Sequence, residues 1–93
     1  MMPDFKPLFE FSRNQRTIYC GLININGSFY FCVEYLTSLD TGEDKWIKKS
    51  FNTWNECKNF LLAEGFINLN QFSSTSERFH YLQKIDEIML YAM

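Results

Sequence analysis

The sequence predicts an α+β fold: a three-stranded antiparallel β-meander packed on one helix, with a second helix near the C-terminus. Three observations carry this. Ile25-Asn26-Gly27-Ser28 is a two-residue hairpin signal, because a type I′ loop needs φ > 0 at both central positions and Asn and Gly tolerate that best. Alternating apolar runs flank it at about 17–25 and 28–36. Thr53-Trp54-Asn55-Glu56 and Ser74-Thr75-Ser76-Glu77 both have the form of a capping box, which opens a helix.

Along the chain, residues 1–16 form an N-terminal arm. Phe5, Leu8, Phe9 and Phe11 cluster there, interrupted by Pro3 and Pro7. Proline is tolerated at sheet edges, so the arm is expected to pack its rings as an extended segment or as a fourth, edge strand. The hairpin follows. One of its faces carries Ile18, Cys20, Leu22, Phe29, Phe31, Val33 and Tyr35, and this more apolar face is assigned to the core. The other carries Tyr19, Gly21, Ile23, Ile25, Tyr30, Cys32 and Glu34.

Asp40-Thr41-Gly42 reads as a turn, and Lys45 to Phe51 as the third strand. The helix after Thr53 places Trp54, Cys57, Phe60 and Leu61 at helical spacing and ends at Gly65. Phe66 to Phe72 is a connector, with a short strand through Ile67 and Leu69 as one alternative. The last helix spans 74–91, with Phe79, Leu82, Ile85, Ile88 and Met89 expected inward. The organisation is a single domain over 1–93: an arm (1–16), a β-β-β-α unit (17–64) and the final helix.

The 93 residues contain ten Phe, five Tyr and two Trp, an aromatic fraction of 18%. Large rings let a small domain bury useful area, and rings beyond the needs of the core make an interaction surface. A net charge of −2 argues against a general polyanion binder. No apolar run has the length of a membrane span, and the first residues lack a signal-peptide core, so a cytoplasmic location without membrane attachment is expected. Three cysteines without Cys-x-x-Cys spacing are expected to be reduced and partly buried. The hairpin register opposes Gly21 to Cys32 and Cys20 to Val33, which points Cys20 and Cys32 to opposite faces and prevents a bridge between them.

Catalytic chemistry finds little support. His80 is the sole histidine, so neither a multi-His metal centre nor a second imidazole is available. Nothing local activates the thiols, and the four glycines are scattered rather than gathered in a phosphate loop. Asp86 and Glu87 diverge on a helix, and Asp40, Glu43 and Asp44 read as a solvated turn. No enzyme activity, cofactor or metal is expected.

Gly27-Ser28-Phe29-Tyr30-Phe31, Asp40-Thr41-Gly42, and Phe51-Asn52-Thr53 with Glu56, Phe60 and Leu61 resemble the arm-binding domain of phage-type tyrosine recombinases. The resemblance covers residues 17–64. It implies a three-stranded sheet backed by one helix, with the sheet laid in a DNA major groove. The chain departs from that family where DNA would be met, since Glu43 and Asp44 precede Lys45 and the outer hairpin face carries Tyr19, Ile23, Ile25, Tyr30 and Glu34.

Two functions are therefore expected in order. The first is a small non-catalytic module that binds another protein through Tyr19, Ile23, Ile25, Tyr30 and Trp46. By analogy of size and composition it would be a phage or mobile-element inhibitor of a host or defence complex. Its structural alternative is burial of that face by the arm or the last helix. The second is sequence-specific DNA binding by Arg13, Arg16, Lys45, Lys48 and Lys49, for which an ordinary solvated face is the alternative. An exposed edge strand or aromatic face would equally serve a homodimer.

Overall fold

A computed structural model of the chain describes residues 4–13 and 16–92. Strands β1 (Asp4–Arg13), β2 (Arg16–Ile25), β3 (Ser28–Ser38) and β4 (Asp44–Phe51) form one sheet in the order β1-β2-β3-β4. Every neighbouring pair is antiparallel. Helix α1 (Trp54–Ala63), a 3-10 turn (Leu69–Gln71) and helix α2 (Thr75–Tyr91) complete an α+β fold. The arm thus becomes a fourth strand at the sheet edge.

The hairpin forms as its residues dictate. Asn26 and Gly27 have φ of 53° and 87°, and the Gly27 amide donates to Asn24 Oδ1 at 2.9 Å. Ile25 pairs with Ser28, Gly21 with Cys32 and Cys20 with Val33. Both caps are in place: Thr53 Oγ1 accepts from the Glu56 amide and Ser74 Oγ from the Glu77 amide. Helix α1 closes with the Gly65 amide donating to the Leu62 carbonyl and the Phe66 amide to that of Leu61. This is the paired bonding of a Schellman motif, and it brings Phe66 down on Leu61 in the core.

One side of the sheet packs against the helices. Ile18, Cys20, Leu22, Phe31 and Val33 join Trp54, Cys57, Leu61, Phe66, Ile67, Ile85 and Met89 in one buried cluster. Ile67 is buried in the connector, where the chain forms the 3-10 turn rather than a strand. Three inward assignments are corrected. Phe29 lies on the helix side but at the hairpin tip, and it is 56% exposed. On α2 only Ile85 and Met89 are buried, while Phe79 and Ile88 are exposed. They flank the buried line of α2, so periodicity marked them apolar without setting the helix's rotation.

Two polar contacts fasten the helical layer. Trp54 Nε1 donates to Asp86 Oδ1 at 2.6 Å, and Lys58 Nζ pairs with the same carboxylate at 3.2 Å. Arg78 donates through Nε and Nη2 to the Phe72 carbonyl, and through Nε to that of Leu69. The helices lie on one side only, and the Cα extents of 44 × 37 × 16 Å describe a flat, two-layer molecule. No helix among the described residues is long and apolar enough to cross a membrane.

Candidate functional site

The side of the sheet away from the helices holds the expected aromatic residues, and β1 divides it into a covered half and an open half. The cause is a β-bulge. Pro7 pairs with Gly21 but Phe9 pairs with Cys20, which leaves Leu8 as the extra residue. An unbroken strand would place Phe5, Pro7, Phe9 and Phe11 on one face. The bulge puts Phe9 and Phe11 on the helix side opposite Cys20 and Ile18, while Phe5 stays opposite Ile23 on the other side.

Before the bulge, β1 leans over its neighbour. A Cβ on Gly21 would sit 1.9 Å from the Lys6 carbonyl oxygen and 2.8 Å from Pro7 Cα, so only glycine admits this crossing. The Phe5 ring reaches far enough to lie 5.8 Å from Lys48 Nζ on β4. Beneath this cover Ile23 and Cys32 are buried, at 1% and 0% exposure, although neither belongs to the helix-side core. The arm, not the last helix, therefore buries part of the face, and Ile23 is withdrawn from it as a contact residue. Ile25 and Tyr30, at the covered end, are half-buried.

The other half is bare. Leu36 pairs with Trp46 across β3 and β4, and they are 36% and 56% exposed. With half-buried Tyr19 and with Arg16 and Thr17 they border a shallow groove of about 290 Å³. Tyr30 and Trp46 occupy β3 positions that are six residues apart once Trp46 is placed at Leu36, about 20 Å along a strand. The five expected aromatic and aliphatic residues thus do not form one patch. Tyr19 and Trp46 come together, and Leu36 joins them unforeseen. The signal for Leu36 was its place across from Trp46, which depends on the length of the Leu39–Glu43 turn.

The cations are not gathered on one face either. Lys48 pairs with Glu34 on the side away from the helices, whereas Lys45 and Lys49 pair with Thr37 and Val33 on the helix side. Lys49 Nζ stands 5.0 Å over the Phe60 ring. The Arg16 guanidinium lies over the Tyr35 and Phe66 rings, at 5.7 and 5.9 Å. Arg13 ends β1, and its side chain lies outside the described residues. The lysines line the free edge of β4 rather than a groove-sized surface.

His80 is exposed, with its ring edge-on to Phe79 at 6.2 Å. Among the described residues no three His, Cys, Asp or Glu side chains come together as a metal site. Cys20, Cys32 and Cys57 are free thiols and fully buried. Burial pushes the Cys32 thiol up to about 11. A hydrogen bond with Cys20, then burial, raises the Cys57 thiol far above the ordinary range. Thiols held protonated in this way are poor nucleophiles.

What fold and site define together is a class: a four-stranded antiparallel sheet with one side helix-covered and an aromatic groove on the other. No family model, curated protein or solved structure matches the chain.

Proposed function

We propose that this protein is a small non-catalytic binding module that docks on another protein through the open half of its sheet. The observation that carries the reading is the bare groove in which Trp46, Leu36 and Tyr19 meet. Exposed aromatic side chains beside a concavity supply interface energy at low entropic cost, and Trp and Tyr dominate binding hot spots. The distribution of cations along an edge favours a protein over DNA as the partner, because a duplex is held by charges gathered toward its phosphates. In its finer form the proposal is an inhibitor of a host or defence complex of the kind phages and mobile elements encode, which rests on analogy of size and composition.

The test is capture of partners by tagged protein from lysate, with and without nuclease, by wild type and by Trp46→Ala. A stoichiometric protein that survives nuclease and is lost with Trp46→Ala, at unchanged melting temperature, is the expected result. Recovery of DNA, or of proteins lost on nuclease treatment, would favour the recombinase-like reading instead. A melting temperature that drops sharply with Trp46→Ala would make the indole a packing element and end the proposal.

A further inference from the structure

We infer that the free edge of β4 takes up an acidic, extended segment of a partner protein as a fifth strand. This rests on the protein-binding reading above and specifies its partner. The argument begins with the backbone. β4 is hydrogen-bonded to β3 on one side and ends the sheet on the other, so along its eight residues alternate N–H and C=O groups point outward without a strand to meet them. An edge of this kind is a template for strand addition.

The side chains then select the strand. Lys45, Lys48 and Lys49 stand along this edge, on both faces of the sheet. None forms an ion pair among the described residues, whose one salt bridge joins Lys58 to Asp86. Lys48 and Lys49 extend over the Phe5 and Phe60 rings, contacts weak enough at an exposed site for their flexible stems to swing from them to a carboxylate at the edge. The nearest acid on the strand, Asp44, is turned to β3, where its Oδ1 accepts from Ser38 Oγ at 3.1 Å.

Charge on both faces suits a strand and not a surface. An added β-strand sends its side chains alternately to the two faces, so acidic residues on either face have a lysine within reach. A second copy of β4 would bring a second set of lysines to the same edge, which disfavours edge-to-edge pairing of the chain with itself. A duplex lying on either face would find at most part of the set.

The experiment titrates isotope-labelled protein with a synthetic peptide as long as β4 in which Glu and Val alternate in pairs, which puts Glu on both faces of the added strand. The comparison probes are the same peptide with Lys in place of Glu and a short DNA duplex. The expected result is perturbation of the β4 amides, slowed hydrogen exchange along the edge, and affinity that falls with salt. Exposed ion pairs are individually weak, so the triple variant Lys45→Gln, Lys48→Gln, Lys49→Gln should lose about tenfold in affinity. Loss of the Lys48 and Lys49 ring contacts should lower its melting temperature by less than about 10 °C, leaving it folded at the titration temperature. Absence of β4 perturbation, or equal binding of the Lys peptide or the duplex, overturns the inference. If the Glu peptide fails while protein capture still depends on Trp46, the edge inference falls and the groove reading stands. If the peptide binds β4 while capture ignores Trp46, the groove reading falls and the edge inference stands.

Discussion

The Sγ atoms of Cys20 and Cys57 lie 3.8 Å apart where the centre of β2 meets α1. Both residues are wholly buried, one on each layer, so this contact sits on the seam that joins sheet to helix. Small, soft side chains allow the two layers to approach closely there. Nothing in the residue spacing announces it, since 37 residues separate the two.

That seam predicts how the thiols react. All three cysteines are buried, and the described structure offers no path to them without opening the sheet–helix contact or the cover formed by β1. Alkylation followed by mass spectrometry should be slower in the native protein than in denaturant by more than about a thousandfold, set by the population of open states. Complete labelling within seconds in the absence of denaturant would refute this burial.

Alkaline pH should destabilise the fold. A thiol ordinarily ionises near 9.0, whereas folded Cys32 holds its proton to about 11 because burial disfavours the thiolate. The group's folded value is raised, so its contribution is complete below the unfolded value and is lost as pH rises between the two. For Cys32 alone the loss reaches on the order of 2–3 kcal/mol. Burial raises Cys57 and Tyr81 as well, with the Cys20 hydrogen bond leading for Cys57, and they act in the same direction. Denaturation midpoints measured from about pH 8 to about pH 10.5 should fall, and fall less for Cys32→Ala. A flat profile, or equal slopes for the two proteins, would contradict the assignment.

Much of the fold was legible because local chemistry decided it. The Asn26-Gly27 loop sets the whole β2–β3 register, and Thr53 and Ser74 mark the helix starts within a residue. What escaped was set by contacts between distant segments. Nothing local announces that β1 bulges at Leu8 and leans over Gly21, so the burial of Ile23 could not be read from its alternating position. The groove suffered likewise, since Leu36 and Trp46 meet only through the β3–β4 register. Asp86 read only as a helical acid diverging from Glu87, yet it turns in to Trp54 and Lys58.

The Asp86 contact should be worth measuring by its two halves. Replacing Asp86 with Ala leaves the Trp54 N–H and the partly buried Lys58 amine without an acceptor, which costs about 1–3 kcal/mol. For a domain of this size that is a fall in melting temperature of about 4–8 °C per kcal/mol. Asp86→Asn keeps the side-chain oxygen that accepts from the indole and loses only a partly exposed ion pair, at a cost under about 1 kcal/mol. Thermal melts should therefore rank wild type, Asn, then Ala, with Asn nearer wild type. If Asn is as damaging as Ala, the charge and not the indole hydrogen bond holds the helices together.

Gly21→Ala is the sharpest probe of how β1 is seated. The new methyl would sit 1.9 Å from the Lys6 carbonyl oxygen, and its other near neighbours are the Lys6 carbonyl carbon and Pro7 Cα. These are backbone atoms, which cannot turn aside as a flexible side chain would, so β1 must lift from β2. A loss of at least about 2 kcal/mol is expected, in the upper range for overpacking. The damage should be local before it is global. Amides of Phe5 and Lys6, which pair with Ile23 and Leu22, should exchange faster. Cys32, across from Gly21, should become open to alkylation while Cys20 and Cys57 stay protected. A variant that melts within about 1 °C of wild type, or one in which all three thiols open together, would show that β1 does not cover this side of the sheet.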